Sequence, residues 1–226
     1  MAIGNTDHEK TKSYNIINLK KMTEDHIKRI FDDSVKIILK SKKISPDIKN
    51  ASELIINCYN NGGKVIAFGN GGSAADAQHI AAELIGRFKK ERDSFPAIAL
   101  TTDSSVITSI GNDYSFEKIF SRQCESLVSK GDVVIGITTS GESKNVIQGL
   151  KIAKNLGAFT IGILGNSNKK IKSHLDISIN VSSTNTARIQ EVHRLIYHII
   201  CEIVENRLSA HRKHNKSKLF IKSASQ

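Results

Sequence analysis

The chain has 226 residues, 39% hydrophobic and 24% charged, with a formal net charge of +11. That length suits one α/β domain with a sizeable core, and no apolar run approaches the ~18 residues of a membrane span. The opening residues, MAIGNTDHEKTKSYN, lack the apolar core of a secretion signal. Cys58, Cys124 and Cys201 are odd in number and form no C-x-x-C pair, so they read as reduced thiols of a cytoplasmic protein.

The positive excess raises the question of nucleic acid. From Ser209 to Gln226 the chain carries Arg212, Lys213, Lys216, Lys218 and Lys222 and no acid, which is five of the eleven net charges. The remaining lysines are scattered, without interleaved aromatics or a helix-turn-helix pattern, so nucleic acid is not the expected partner. A solvated, disordered basic tail is the reading for 209–226.

In chain order, residues 1–13 read as a flexible lead. From 14 to 43, apolar residues recur at helical spacing (Ile27, Ile30, Phe31, Val35, Ile38, Leu39) and predict a long amphipathic helix. A second helix is expected from Pro46 to Asn60, stopped by "NNGG". Alternation then begins. "KVIAF" (64–68) reads as a strand, followed by a loop at 69–72 and a helix to about Arg87. "PAIAL" (96–100) and "DVVIGI" (132–137) are further strands, and "TTSGES" leads from the latter into a helix ending near "NLGA". "FTIGIL" (159–164) and "DISINV" (176–181) complete the strands, and a last helix spans about Thr186 to Leu208. Strands separated by helices imply a parallel sheet covered on both faces, preceded here by two helices, in one domain over 14–208.

In such sheets ligands sit beyond the carboxyl ends of the strands. "GNGGS" and "TTSGES" each follow a strand directly and converge on that edge. "GNGGS" lacks the G-x-G-x-x-G spacing with its ribose-binding acid and has no Walker lysine. Gly71 and Gly72 would let the backbone approach a ligand, and Ser73 would cap the next helix; a plain tight turn is the bland alternative. "TTSGES" places Thr138, Thr139, Ser140 and Ser143, four hydroxyls, at a strand-to-helix junction. With the free N–H groups of a helix start they suit a phosphate monoester without a lysine, whereas alone they would signal only a capped helix.

His79 and Glu83, four apart, share a helix face. The pair suits one metal ion, acid–base work or a surface ion pair. In "TARIQEVHRLIYHIICEIVENRL", Ile189, Val192, Ile196, Ile199 and Ile203 mark a buried stripe, with Gln190, Glu191, His193 and His198 beside it. Spacing does not choose among these four, and a hydrogen-bonded core histidine is the ordinary explanation of His198.

"FGNGGSAADAQHIAAELIGRF", "PAIALTTDSSVITSIGND", "GDVVIGITTSGESKNV" and "ARIQEVHRLIYHII" together resemble the phosphoheptose isomerase family of the sugar isomerase (SIS) fold, over about residues 45–208. The resemblance implies a three-layer αβα domain with a five-stranded parallel sheet. It also implies a homotetrameric cytoplasmic enzyme that converts sedoheptulose 7-phosphate to D-glycero-D-manno-heptose 7-phosphate. That reaction leads to the ADP- or GDP-heptose precursors of lipopolysaccharide or other surface glycans. One zinc ion per subunit is implied, with ligands at His79, Glu83, Gln190 and His198. Glu83 and His198 match the pair assigned to proton transfer. Substrate contacts fall on Asn70, Gly71, Gly72, Ser73, Glu83, Asn112, Asp113, Thr138, Thr139, Ser140, Ser143 and Gln190. Thr138 stands where many relatives have serine, which preserves a hydroxyl, and Ala187 replaces an aspartate of some members. A non-catalytic SIS adaptor that binds the replication initiator shares part of the pattern. It lacks the carboxylate at Glu83 and the imidazole at His198, so an isomerase is the expectation.

Gln190 and His198 stand awkwardly as co-ligands. Eight residues of helix rise about 12 Å, close to the limit that two side chains bridge through one ion.

Overall fold

The computed structural model describes residues 24–165 and 169–223. The expected flexible lead and the first part of the first helix lie outside the described residues. The chain enters through α1 (Glu24–Ser41), a 3-10 turn (Lys42–Ile44) and α2 (Ser45–Asn60). The α/β alternation runs β1 (Val65–Gly69), α3 (Gly72–Ile85), β2 (Ala97–Ala99), α4 (Ser104–Asp113), a 3-10 turn (Phe116–Lys118) and α5 (Ser121–Leu127). It continues with β3 (Val133–Thr138), α6 (Lys144–Asn155), β4 (Phe159–Leu164), α7 (Lys169–Lys172), β5 (Ile177–Asn180) and α8 (Thr186–Ser223).

The five strands form one sheet in the order β2-β1-β3-β4-β5, and every pairing is parallel. Every residue of β1 and β3 is buried, as a parallel strand covered on both faces requires. Alternate side chains feed two cores. Val65 and Ala67 of β1 and Ile135 and Ile137 of β3 face α2, α3 and α8. Ile66, Phe68 and Val134 face α5 and α6, where the Phe68 and Phe120 rings stack at 4.8 Å. The strand order reverses between β1 and β3, so the crevice beyond their carboxyl ends is the switch point where a ligand is expected in this class of sheet.

Three features differ from the sequence reading. Helices α4 and α5 add to the expected elements; the sign of α4 is Asp103, whose carboxylate caps it by accepting from Val106 N at 2.9 Å. The buried stripe of α8 follows Ile189, Val192, Ile196, Ile200 and Val204, while Ile203 is exposed and Ile199 only half-buried. A 3.6-residue period carries the stripe off the 199/203 row. Finally, α8 continues past the expected stop at Leu208 to Ser223. No glycine or proline interrupts 209–223, and basic residues near a helix carboxyl end complement its dipole.

Helices α3 and α8 lie side by side in the same direction, fastened at three levels. Gln190 lies against Gly72, His198 against His79, and Glu205 beyond the end of α3. At the last level the Glu205 carboxylate accepts from the N–H groups of Phe88, Lys89 and Lys90 at 2.7–2.9 Å and from Arg92 Nε at 3.0 Å. Arg92 also donates to the carbonyls of Glu83 and Leu84 at 2.7 and 2.9 Å. Burial alone would raise the Glu205 carboxyl. The three backbone donors and Arg92 outweigh it and hold the group below the usual carboxylate range.

His193 is wholly buried, and neither ring nitrogen meets a partner in full hydrogen-bond geometry among the described residues, although the Leu164 backbone is near. Burial pushes its imidazole down to about 4, with the Leu164 backbone only partly offsetting this. The folded value lies below the ordinary ~6.5 of an exposed histidine, so below pH ~6.5 the unfolded chain binds a proton that the folded chain refuses. Stability should be full above pH ~6.5 and fall by about 3 kcal/mol as pH drops to about 4. Urea unfolding at several pH values checks this: His193→Phe should flatten that part of the slope, and an unchanged slope would remove His193 as its source.

Among the described residues, no helix is long and apolar enough to cross a membrane.

Candidate functional site

The first loop follows β1. Gly71 has φ 55°, a left-handed conformation that a side chain would strain. A Cβ on Gly72 would collide with the Gln190 amide, so α8 and the helix start approach through the space that glycine leaves. The expected cap by Ser73 is not found. α3 begins from Gly71 without a side-chain cap, and Ser73 is buried inside its first turn. The tight turn at Gly71 starts the helix one residue before Ser73, which therefore occupies a helical position rather than the flanking one.

The second loop follows β3. The Thr138 hydroxyl, buried at the strand end, lies 3.1 Å from Ser143 Oγ and 3.4 Å from Ser140 Oγ. Thr138 Oγ1 and Ser140 Oγ accept from Gly141 N and Glu142 N at 3.3 and 3.2 Å. Thr139 is half-buried beside this cluster, its carbonyl tight against Gly165. Ser143 precedes α6 without capping it through its side chain. Asn70 and Asn145 exchange two amide hydrogen bonds of 2.9 and 2.8 Å, tying the first loop to the start of α6. Nothing in the sequence spacing marks Asn145 for this role.

The third group lies along the α3–α8 seam. His79 Nε2 stands 2.8 Å from Glu83 Oε1 and 3.4 Å from His198 Nε2. The ligand atoms of His79, Glu83 and His198 all lie within 4.8 Å of one another, which makes them a group able to hold a metal ion. Burial and the neighbouring His79 depress the His198 imidazole below its ordinary value, which favours the neutral form that ligates or exchanges a proton. On the far side of His79, its Nδ1 meets the buried Tyr197 hydroxyl at 3.0 Å. Burial raises the Asp76 carboxyl next to Tyr197, while Tyr197 and Arg194 pull it down.

Of the residues expected at the site, the structure joins His79, Glu83 and His198, and separately joins Asn70 to the hydroxyl loop through Asn145. The Gln190 amide lies against Gly72. Asn112 and Asp113 lie at the exposed end of α4, where the Asn112 amide donates to the Asp113 carboxylate at 2.9 Å. Sequence reasoning misses Asp76, Tyr197, Arg92 and Glu205; only an aspartate three residues before a histidine on one helix face hints at the first.

Residues 31–165 match the model of the SIS domain family. A phosphoheptose isomerase of Geotalea uraniireducens is 50% identical over 185 residues, which cover 81% of this chain and 98% of that protein. One from Aquifex aeolicus is 52% identical over 182 residues, covering 80% and 95%. Among solved structures, a phosphoheptose isomerase of Neisseria gonorrhoeae superposes with a TM-score of 0.76 at 41% identity, covering 80% of this chain and 98% of that one. Another from Francisella tularensis gives 0.78 at 37% identity, covering 80% and 97%.

Proposed function

Since the chain belongs to the phosphoheptose isomerase family of SIS-domain proteins and is a sugar-phosphate isomerase, we propose that it converts sedoheptulose 7-phosphate to D-glycero-D-manno-heptose 7-phosphate, feeding heptose precursors of surface glycans. The observation that carries this reading is the meeting of a carboxylate on α3 with an imidazole on α8, in a chain that also gathers hydroxyls in the loop after β3. A ketose phosphate needs both: a pair for proton transfer at one end and an anion cradle at the other.

Isomerisation moves one proton from C1 to C2 and another from O1 to O2. Glu83 takes the C1 proton while His198 lends a proton to the carbonyl oxygen at C2, giving the enediol. His198 then recovers a proton from O1 as Glu83 delivers its proton to C2, and the aldose forms with both residues restored. Thr138, Ser140 and Ser143 accept the phosphate at the positive end of α6. Asn70, Gly71, Gly72, Ser73 and Gln190 line the sugar path, with Thr139, Asn112 and Asp113 assigned as further contacts.

Two imidazoles and one carboxylate, with two ring nitrogens facing each other at 3.4 Å, form a donor set that fits zinc. His79, Glu83 and His198 would hold the ion; Gln190, implied as a fourth ligand, has its amide at Gly72. When bound, zinc supplies Lewis-acid polarisation of the substrate oxygens.

The direct test is turnover of sedoheptulose 7-phosphate by the purified protein. Conversion to the aldose is expected, and its absence with zinc supplied would sink the proposal. Thr138→Val and Ser143→Ala should each raise KM about 10- to 100-fold, as loss of a hydrogen bond to a charged group implies. Their kcat should stay near wild type; an unchanged KM would move the phosphate elsewhere. A homotetramer is part of the same reading, supported by α1, where Phe31, Val35 and Leu39 stand more than half exposed. Sedimentation should give the mass of four chains, and a monomer would exclude it.

A further inference from the structure

The face of His79 turned away from Glu83 and His198 belongs to a buried arrangement that the proton-transfer scheme leaves unused. Its Nδ1 lies 3.0 Å from the Tyr197 hydroxyl. That hydroxyl donates to Asp76 Oδ1 at 3.3 Å and accepts from Arg194 Nε at 3.2 Å. The Arg194 guanidinium also stands 3.9 Å from the same carboxylate oxygen. Tyr197 is 1% exposed and Asp76 3%, so the bond between them is shielded from water, while Arg194 reaches them from the exposed side.

Once the Tyr197 proton is directed to Asp76, donor counting sets the direction of the other bonds. A phenol has one proton, a guanidinium only donates, and a carboxylate only accepts. With its proton on Asp76, the Tyr197 oxygen has lone pairs for Arg194 and for His79, and the second contact requires a proton on His79 Nδ1. A neutral imidazole carries one N–H, so Nε2 is left with its lone pair. Nε2 is the nitrogen that faces Glu83 Oε1 at 2.8 Å and His198 Nε2 at 3.4 Å. A lone pair opposed to a carboxylate oxygen at that range is favourable when a cation lies between them.

We infer that Tyr197 and Asp76 are positioning residues that fix His79 with its proton on Nδ1 and present Nε2 to the cation shared with Glu83 and His198. The inference rests on the reading of His79 as a metal ligand. Outer hydrogen bonds of this kind set the tautomer and orientation of a ligating histidine. Here the device comes from the same helix as His198: Tyr197 is its chain neighbour, and their rings meet edge-on at 4.9 Å. One segment of α8 thus supplies a ligand and orients the ligand on α3.

Tyr197→Phe removes the oxygen and keeps the ring that packs on His79, at 5.2 Å between centroids. Zinc affinity, measured by competition with a chromophoric chelator, should fall about 10- to 100-fold in this variant. His79→Ala serves as the reference. If it binds zinc as tightly as wild type, His79 is no ligand, and the reading beneath the proposal fails. If His79→Ala loses zinc while Tyr197→Phe keeps wild-type affinity, the ligand reading stands and the positioning role is overturned. Long-range proton–nitrogen spectra of the zinc-loaded wild type give an answer that depends on no variant folding. A proton on Nδ1 and metal on Nε2 of His79 support the proposal; the reverse overturns it.

Discussion

Glu83→Gln is expected to lower kcat on sedoheptulose 7-phosphate by about 10²- to 10⁴-fold, the range that a positioned proton-transfer group supplies. Glutamine preserves the volume and one acceptor oxygen but does not take a carbon-bound proton. The side chain projects from α3 beside His79 and is only partly buried, so the fold should survive and the thermal midpoint should stay close to wild type. Zinc content measured on the same samples separates two causes: zinc retained with turnover lost assigns the base, and zinc lost in parallel assigns ligation. His198→Asn should fall by a similar factor. Because the two act on one substrate, the double variant should lose far less than the product of the single losses. Wild-type turnover by Glu83→Gln would remove it from the chemistry.

Glu205→Ala should cost about 3–5 kcal/mol, the usual cost of stranding one member of a buried ion pair. Arg92 and Glu205 have side chains only 4% and 2% exposed. The variant therefore leaves a guanidinium in the interior and strips an acceptor from three backbone N–H groups. For a chain of this size the thermal midpoint should drop by roughly 6–20 °C. The stabilisation is fully present at neutral pH and is lost as acid protonates the carboxylate, because the Glu205 value is depressed in the fold. The damage should reach catalysis, since the knot fastens the end of α3 to α8 just beyond Glu83. A midpoint within a degree or two of wild type would show that the knot is not a main tie.

The strands are legible in the sequence because β1, β3 and β4 are continuous apolar runs bounded by glycine, and a doubly covered parallel strand has no other way to read. The two loops are legible for a related reason: glycines and hydroxyls directly after a strand are unusual. His79 and Glu83 are visible from helical spacing alone. Other parts are not. His198 looks like a core histidine until α8 is laid along α3. Tyr197 meets His79 across 118 residues of chain, Asn145 meets Asn70 across 75, and Arg92 meets Glu205 across 113. Local periodicity holds no information about such pairs. The short α4 and α5, rich in β-branched and polar residues, carry weak helical signals and are set by packing on the second core. The end of α8 escapes the sequence because a basic, polar composition says little about backbone conformation where no glycine or proline intervenes.

The central claim is that one bound ketose touches both the carboxylate of α3 and the imidazole of α8. A crystal structure with zinc and sedoheptulose 7-phosphate bound to Glu83→Gln, which holds the substrate without turning it over, tests it most directly. The account predicts the phosphate among the hydroxyls of Thr138, Ser140 and Ser143, with C1 and C2 of that same molecule within hydrogen-bond reach of residue 83 and His198. A ligand whose C1–C2 end lies away from either residue would contradict it.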